Sequence, residues 1–233
     1  MNGSETTLKK HPEVIFLHKR KYLYVVLSST PCKLGKFIRL MTHYTYNHVS
    51  VSLTANLDNL YSFARHYKQT PLCGGFVNES SLRYKNRSKY AKIKIFAIPV
   101  SDAQYDKISM FISSIAKNSP EYVYNTISAV FSVIHKKIVI RHAFTCIEFA
   151  IEILSRFQQE VNIRNDKFYT IKQLDKILFP YLIYEGSIAP IALYASWKND
   201  TFPEKKKLFE QIYLTCSSNH LLLDLFFETM KKH

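Results

Sequence analysis

The sequence predicts an α+β fold, because strand-like segments fill much of its first hundred residues and amphipathic helices fill most of the remainder. Its 233 residues are 47% hydrophobic and include only 5 glycines, a composition typical of a globular chain with a sizeable core. We find no internal repeat and no low-complexity tract. The length suits one large domain, or one domain that carries an extension.

The strand predictions rest on β-branched and aromatic residues bounded by turns. The segment HVSVSLT alternates strictly, which puts His48, Ser50 and Ser52 on the face opposite to its apolar residues. The segment QTPLCGGFVNESS, residues 69–81, is predicted to be a loop that bends at its glycine pair. Four segments are predicted strands: 21–29, 48–54, 60–66 and 89–100.

The helix predictions rest on apolar spacing and on capping residues. Residues 101–118 carry an apolar stripe at helical spacing, and Ser101, which precedes the stripe, is a good N-cap. Two further helices are predicted to start after Thr145 and after Thr170, because each threonine is followed three residues later by Glu or Gln, the spacing of a capping box. Residues 203–233 are predicted to be helical in two parts.

We expect three regions along the chain: a flexible basic arm over 1–20, a core over 21–164, and a helical extension over 165–233 that packs on the core. The arm contains no apolar segment of the kind that a secretory signal requires. No apolar run approaches the length of a membrane span. The simplest expectation is a cytoplasmic protein with reduced thiols.

The chain is strongly basic, with a net charge of +14 and a pI near 9.5. Such a balance favours anionic partners, whether nucleic acid, anionic lipid or acidic protein, without choosing among them. The stretch SSLRYKNRSKYAKIKIF contains Arg83, Lys85 and Arg87 with tyrosines interleaved, a pattern that can hold phosphates. The alternative is a solvated edge, where lysines discourage strand pairing.

Four cysteines are spread far apart along the chain, at positions 32, 73, 146 and 216. This spacing does not fit a zinc site built from cysteines, and a chain this long and this poor in cysteine does not fit a disulfide framework. We therefore expect no metal and no cofactor. The oligomeric state has no signal in the sequence.

Cys146 is the cysteine with the most distinctive setting. Thr145, Cys146, Ile147 and Glu148 form a predicted capping box, so the thiol would sit in the first turn of a helix. Unpaired backbone N–H groups and the positive end of the helix dipole favour a thiolate there. The alternative is a small buried residue without reactivity, which is a common role for free cysteine.

A thiolate nucleophile needs a base, and His48 is the candidate. It opens the alternating strand, and its neighbours on the same face are serines. The alternative is a solvated histidine at a strand edge. The four segments YNHVSVSL, LYSFAR, GGFVNES and FTCIEFAIEIL, in this order, resemble the circularly permuted branch of the NlpC-type papain-like cysteine hydrolases, over about residues 20–160.

The resemblance implies an antiparallel sheet packed against a helix whose N-terminus carries the nucleophile. It implies that Cys146 is the nucleophile and His48 the base. A third polar residue, which orients the imidazole, lies on the next strand in this branch, and Ser62 matches it. Glu79 or a backbone carbonyl could take the same role.

The function that follows from the resemblance is hydrolysis or transfer at an amide bond, including peptide and isopeptide links, or at an acyl ester or lipid. Hydrolase and transferase both remain open. The alternative from another class is a non-catalytic binding module of the same fold, which would use the basic surface on nucleic acid or an anionic membrane.

Overall fold

A six-stranded antiparallel sheet forms the centre of the computed structural model, with strand order β10-β7-β1-β2-β3-β4. Its strands are β1 (Lys21–Ser28), β2 (His48–Ser52), β3 (Tyr61–Arg65), β4 (Gly74–Asn78), β7 (Lys92–Val100) and β10 (Leu182–Ser187). Two short pairs accompany it: β5 (Lys85–Asn86) with β6 (Lys89–Tyr90), and β8 (Val123–Tyr124) with β9 (Ala143–Phe144). The structure describes residues 20–31, 36, 39–40, 42–86, 89–158, 160–188 and 200–231. All of the predicted N-terminal arm except Arg20 lies outside these residues.

The four predicted strands are confirmed as β1, β2, β3 and β7, but the predicted loop over 69–81 is partly wrong. Its glycine pair begins β4, which pairs with β3. A Cβ atom on Gly74 would lie 2.6 Å from the carbonyl oxygen of Ala64, and one on Gly75 would lie 2.5 Å from that of Tyr122. The glycines therefore permit a close approach of neighbouring backbone within a strand, rather than a bend.

Helices cover one face of the sheet. The helices are α1 (Asp102–Lys117), α2 (Thr126–Phe131), α3 (Cys146–Phe157), α4 (Ile171–Leu178) and α5 (Leu208–Met230). The predicted N-cap at Ser101 and the predicted capping boxes at Thr145 and Thr170 are confirmed at the starts of α1, α3 and α4. Across the described residues, no helix combines the length and the apolarity needed to cross a membrane.

The main core lies between this face of the sheet and the helices α1, α3 and α4. Alternate residues of the strands point into it, as Val49 and Val51 of β2 do, and they meet Phe149 and Ile153 of α3. A smaller core fills the opposite face of the sheet, where Val26 and Ile93 meet Tyr84, Leu57 and Leu60. The sheet is therefore buried on both sides around β1 and β2.

The region over 165–233 differs from the predicted helical extension, because it supplies β10 to the main sheet. Strand β10 pairs antiparallel with β7 and forms one edge of the sheet. Leu174 and Leu178 of α4 are fully buried in the main core. The segment predicted to be helical in two parts is one continuous helix, α5, with 23 residues.

Candidate active site

The site begins with Cys146 in the first turn of α3. Thr145 is the N-cap, and its side-chain oxygen accepts a hydrogen bond from the backbone N–H of Glu148 at 3.3 Å. The carboxylate of Glu148 in turn accepts the backbone N–H of Thr145 at 2.7 Å. The parallel pairing of β9 with β8 fixes the chain just before the cap. These contacts hold the thiol, which is only 7% exposed, beside the N–H groups of the first helical turn.

His48, the first residue of β2, bridges the thiol and a buried carboxylate. Its Nε2 atom lies 2.5 Å from Oε1 of Glu79, and the sulfur of Cys146 is near enough to the ring to help raise the pKa of His48. Because Nε2 faces Glu79, the Nδ1 atom remains for the sulfur. The structure thus brings the two residues that the sequence singled out, 98 positions apart, close together.

Burial and charge act on the imidazole in opposite directions. Burial alone would lower the pKa of His48, but the Glu79 carboxylate and the Cys146 sulfur outweigh it and raise that pKa to about 10. Burial alone would raise the pKa of Glu79, but the charge and hydrogen bond of His48, with Arg83 and Ser62, lower it to about 2. At neutral pH the pair is therefore an imidazolium and a carboxylate.

Three hydroxyl groups also donate hydrogen bonds to the oxygens of the Glu79 carboxylate. Ser62 donates to Oε1, the oxygen that contacts His48. Ser50 donates to Oε2 at 3.0 Å, and the Tyr84 hydroxyl donates to the same oxygen. Burial and the carboxylate raise the pKa of Tyr84 well above its usual value, so its hydroxyl stays a donor. The carboxylate is fully buried and is held by four donor groups.

Ser62, the predicted third member of the site, is hydrogen-bonded to Glu79 rather than to the imidazole of His48. Its hydroxyl binds Glu79, and Glu79 is the group in contact with the imidazole. The geometry points to Glu79, the alternative raised from the sequence, as the residue that orients His48. Tyr84 is a member that the sequence did not indicate for this role, because it was grouped with the basic stretch around it.

Arg83 does not fit the predicted anion-binding set, because its guanidinium is buried rather than on the surface. Its Nε and Nη2 atoms donate to the two carboxylate oxygens of Asp200 at 2.7 and 2.6 Å, and Nη1 donates to the carbonyl of Arg65 at 2.7 Å. The side chain is 6% exposed and lies over the ring of Phe202. A bidentate, buried pair of this kind leaves no face for a phosphate.

The other two members of the predicted anion-binding set have different outcomes. Lys85 is exposed, with its ammonium group 5.1 Å from the ring centre of Tyr90. Arg87 lies outside the described residues. Lys85 is therefore the member of the set that the structure leaves accessible to an anion.

Asp200 also holds the backbone next to Glu79. Its Oδ2 atom accepts the N–H of Ser80 at 2.9 Å, while the N–H of Glu79 donates to the carbonyl of Leu60 at 2.7 Å. These two bonds fix the chain on either side of the peptide that carries the carboxylate. No local sequence pattern indicates this contact, since Asp200 lies 120 positions from Ser80.

Tyr124 of β8 is another residue near the thiol that the sequence did not single out. Burial, followed by the negative charges of Cys146 and Glu148, raises the pKa of Tyr124 well above its usual value. It pairs with Phe144, two residues before the cysteine. Tyr124 is therefore a neutral phenol in the neighbourhood of the site, in a segment that could not be assigned to a helix or strand from the sequence.

Cys73, Cys146 and Cys216 are free thiols. Among the described residues, no three His, Cys, Asp or Glu side chains are grouped closely enough to hold a metal ion. Comparisons of the chain with protein-family models, with curated proteins and with solved structures find no match.

Proposed function

We propose that this protein is a cysteine hydrolase or acyltransferase with a permuted papain-like arrangement, acting on an amide bond (peptide or isopeptide) or on an acyl bond. One observation carries the proposal: His48 is hydrogen-bonded to the buried carboxylate of Glu79 and is close enough to the Cys146 sulfur, at a helix N-terminus, for that sulfur to raise its pKa. A nucleophile, a base and a group that orients the base are the three parts that covalent catalysis by cysteine needs.

The first half of the reaction transfers the acyl group to the enzyme. The Cys146 sulfur attacks the carbonyl carbon, and the carbonyl oxygen gains the negative charge. The backbone N–H of Cys146, in the first turn of α3, supports this proposal because it can donate to that oxygen. The tetrahedral intermediate then expels the amine or alcohol, which takes its proton from His48, and a thioacyl enzyme remains.

The second half releases the acyl group. Water, or another acceptor in a transferase, attacks the thioester carbon while His48 removes its proton. The sulfur leaves as a thiolate, and the imidazolium–thiolate pair is restored. Glu79 stays ionised throughout and keeps Nε2 protonated, which leaves Nδ1 to exchange the proton.

The proposal also includes a cytoplasmic location, since an unpaired, nucleophilic thiol is maintained most simply in a reducing compartment. The alternative of a non-catalytic module that binds nucleic acid or anionic membrane has weaker support. Its predicted basic set loses Arg83 to an internal ion pair, although Lys85 remains exposed.

The test is the rate of Cys146 alkylation by iodoacetamide as a function of pH, followed by mass spectrometry on the intact chain. Fast alkylation near neutral pH that slows in His48→Ala is expected, and substrate screening with peptide amides and acyl esters would follow. Cys73, which is buried and whose pKa burial raises, serves as the internal control. A Cys146 that reacts no faster than Cys73 in the folded protein would rule out the enzyme.

A further inference from the structure

Helix α5 packs on the protein through one face and exposes an apolar stripe on the opposite face. Leu222 and Leu225 are buried against Val123, Ile140 and Ala143. Successive residues of a helix turn by about 100°, so the stripe lies half a turn away from these two leucines. The stripe consists of Phe209, Tyr213, Cys216, His220, Leu223, Phe227 and Met230, in which His220 is the one polar member and lies 2.8 Å from Asp224.

The spacing within the stripe is that of a coiled-coil seam. Its members follow one another at intervals of four, three, four, three, four and three residues. A strict alternation of this kind gives a narrow seam that fits a second helix, whereas a helix that docks on a broad surface has a wider apolar face. Leu208 and Ile212, which are 72% and 54% exposed, widen the apolar face at the N-terminal end of α5. From Cys216 onward the spacing indicates one helix as the occupant.

The stripe is large enough to hold a partner. Phe209, Tyr213 and Phe227 are 80%, 66% and 58% exposed. With roughly 200 Å² for each aromatic side chain, these three rings alone present about 400 Å². Leu223 and Met230, each about half exposed or more, extend the patch. A standard interface buries about 800 Å² per partner, and most of this is available along α5.

The charges beside the stripe favour a second protein helix over an anionic membrane. Glu210, Asp224 and Glu228 are exposed along one side of the stripe. An anionic lipid surface would repel these carboxylates, although the rest of the chain is basic. If two copies of α5 lie antiparallel, Glu210 of one copy comes beside Lys231 of the other, twice in each pair.

The side chains also fit the antiparallel direction. In that register Phe227 faces Cys216 of the second copy, Tyr213 faces Met230, and His220 faces Leu223, so that each layer pairs a ring with a smaller or more flexible side chain. A parallel pair would place Phe227 against Phe227 and His220 against His220. We propose that α5 joins two copies of this chain as an antiparallel helix pair.

The test is sedimentation velocity over a concentration series. The wild type is expected to sediment as a dimer, and Phe227→Glu is expected to raise the dissociation constant about 30-fold or more with an unchanged circular dichroism spectrum. Phe179→Glu is the matched control, because Phe179 is 63% exposed and lies outside α5, and it should dimerise like the wild type. A wild type that remains monomeric, or a control that loses the dimer equally, would overturn the proposal.

Crosslinking tests the direction. The crosslinking protein carries Phe227→Cys in a Cys32→Ser background, and its concentration is kept above the raised dissociation constant, because Phe227→Cys also removes an anchoring ring. On oxidation it is expected to form a covalent dimer between the introduced thiol of one copy and Cys216 of the other, whereas the Cys32→Ser background alone is not. A dimer crosslinked through Cys216 in the background itself would mean a parallel pair and would refute the arrangement. Monomeric protein that binds vesicles of phosphatidylcholine and phosphatidylglycerol would assign the stripe to a lipid surface instead.

Discussion

Replacing Glu79 by glutamine removes the charge that keeps His48 protonated while leaving the size of the side chain almost unchanged. The 2.5 Å contact joins two charged groups, a fully buried carboxylate and an imidazole that is 12% exposed. A hydrogen bond to a charged group contributes ~1.5–3 kcal/mol, which corresponds to a factor of about 10 to 150. Without the carboxylate, the burial that already acts to lower the pKa of His48 dominates. The alkylation rate of Cys146 near neutral pH should therefore fall by about 10- to 150-fold.

The assay is the pH profile of alkylation, measured by mass spectrometry from acid to alkaline pH. In Glu79→Gln the alkylation rate near neutral pH should fall relative to the wild type, because His48 loses the neighbouring charge that keeps it protonated. Glu152→Gln is the matched control, because Glu152 is a buried carboxylate of the same helix as Cys146 and binds Arg156 and Asn165 rather than His48. Superimposable profiles for the wild type and Glu79→Gln, with both folded, would refute this account of the site.

Three further results are expected. Ser62→Ala should slow alkylation by only about 5-fold, since its bond is to Glu79 and not to the imidazole and one such bond contributes ~1 kcal/mol; a larger loss than in Glu79→Gln would contradict this order. Asp200→Asn removes the negative charge that pairs with the buried guanidinium of Arg83, so urea denaturation should show a loss of about 3 kcal/mol in the free energy of unfolding. Asp166→Asn, which changes an exposed ion pair, is the control and should change that free energy little. Because the pKa of Glu79 is depressed from 4.5 to about 2, its contribution is present above pH 4.5 and lost as the pH falls toward 2. Glu79→Gln should flatten the acid side of the stability profile, and an unchanged acid slope would count against the ionised pair.

The elements that could be predicted from the sequence are those with a local signal. The strict alternation of β2 and the capping box at Thr145 each depend on a few neighbouring residues, and both are confirmed. Strand β4 was missed because a pair of glycines in a sequence is typical both of a tight turn and of a strand that lies close to another backbone segment. The distinction depends on Ala64 and Tyr122, whose carbonyl groups come from other strands and loops.

The site shows the same division between local and distant information. Cys146 and His48 could be named because each has a characteristic local setting, but the orienting residue could not be chosen between Ser62 and Glu79 from the sequence. Both are close to His48 in the sheet, and only the geometry separates the carboxylate that contacts the imidazole from the hydroxyl behind it. Arg83 was misassigned for a related reason, since a basic stretch does not reveal which of its charges has a distant carboxylate as partner.

The contact at Asp200 makes the C-terminal region part of the support of the site rather than an addition to a finished core. Asp200 neutralises Arg83 and accepts the N–H of Ser80, the residue after Glu79. Arg83 itself helps to lower the pKa of Glu79, so an unpaired and displaced guanidinium would change the charge that His48 experiences. These contacts mean that the geometry around Glu79 depends on Asp200, a residue well beyond 164. A boundary between core and extension placed at residue 165 therefore separates residues that cooperate in one site.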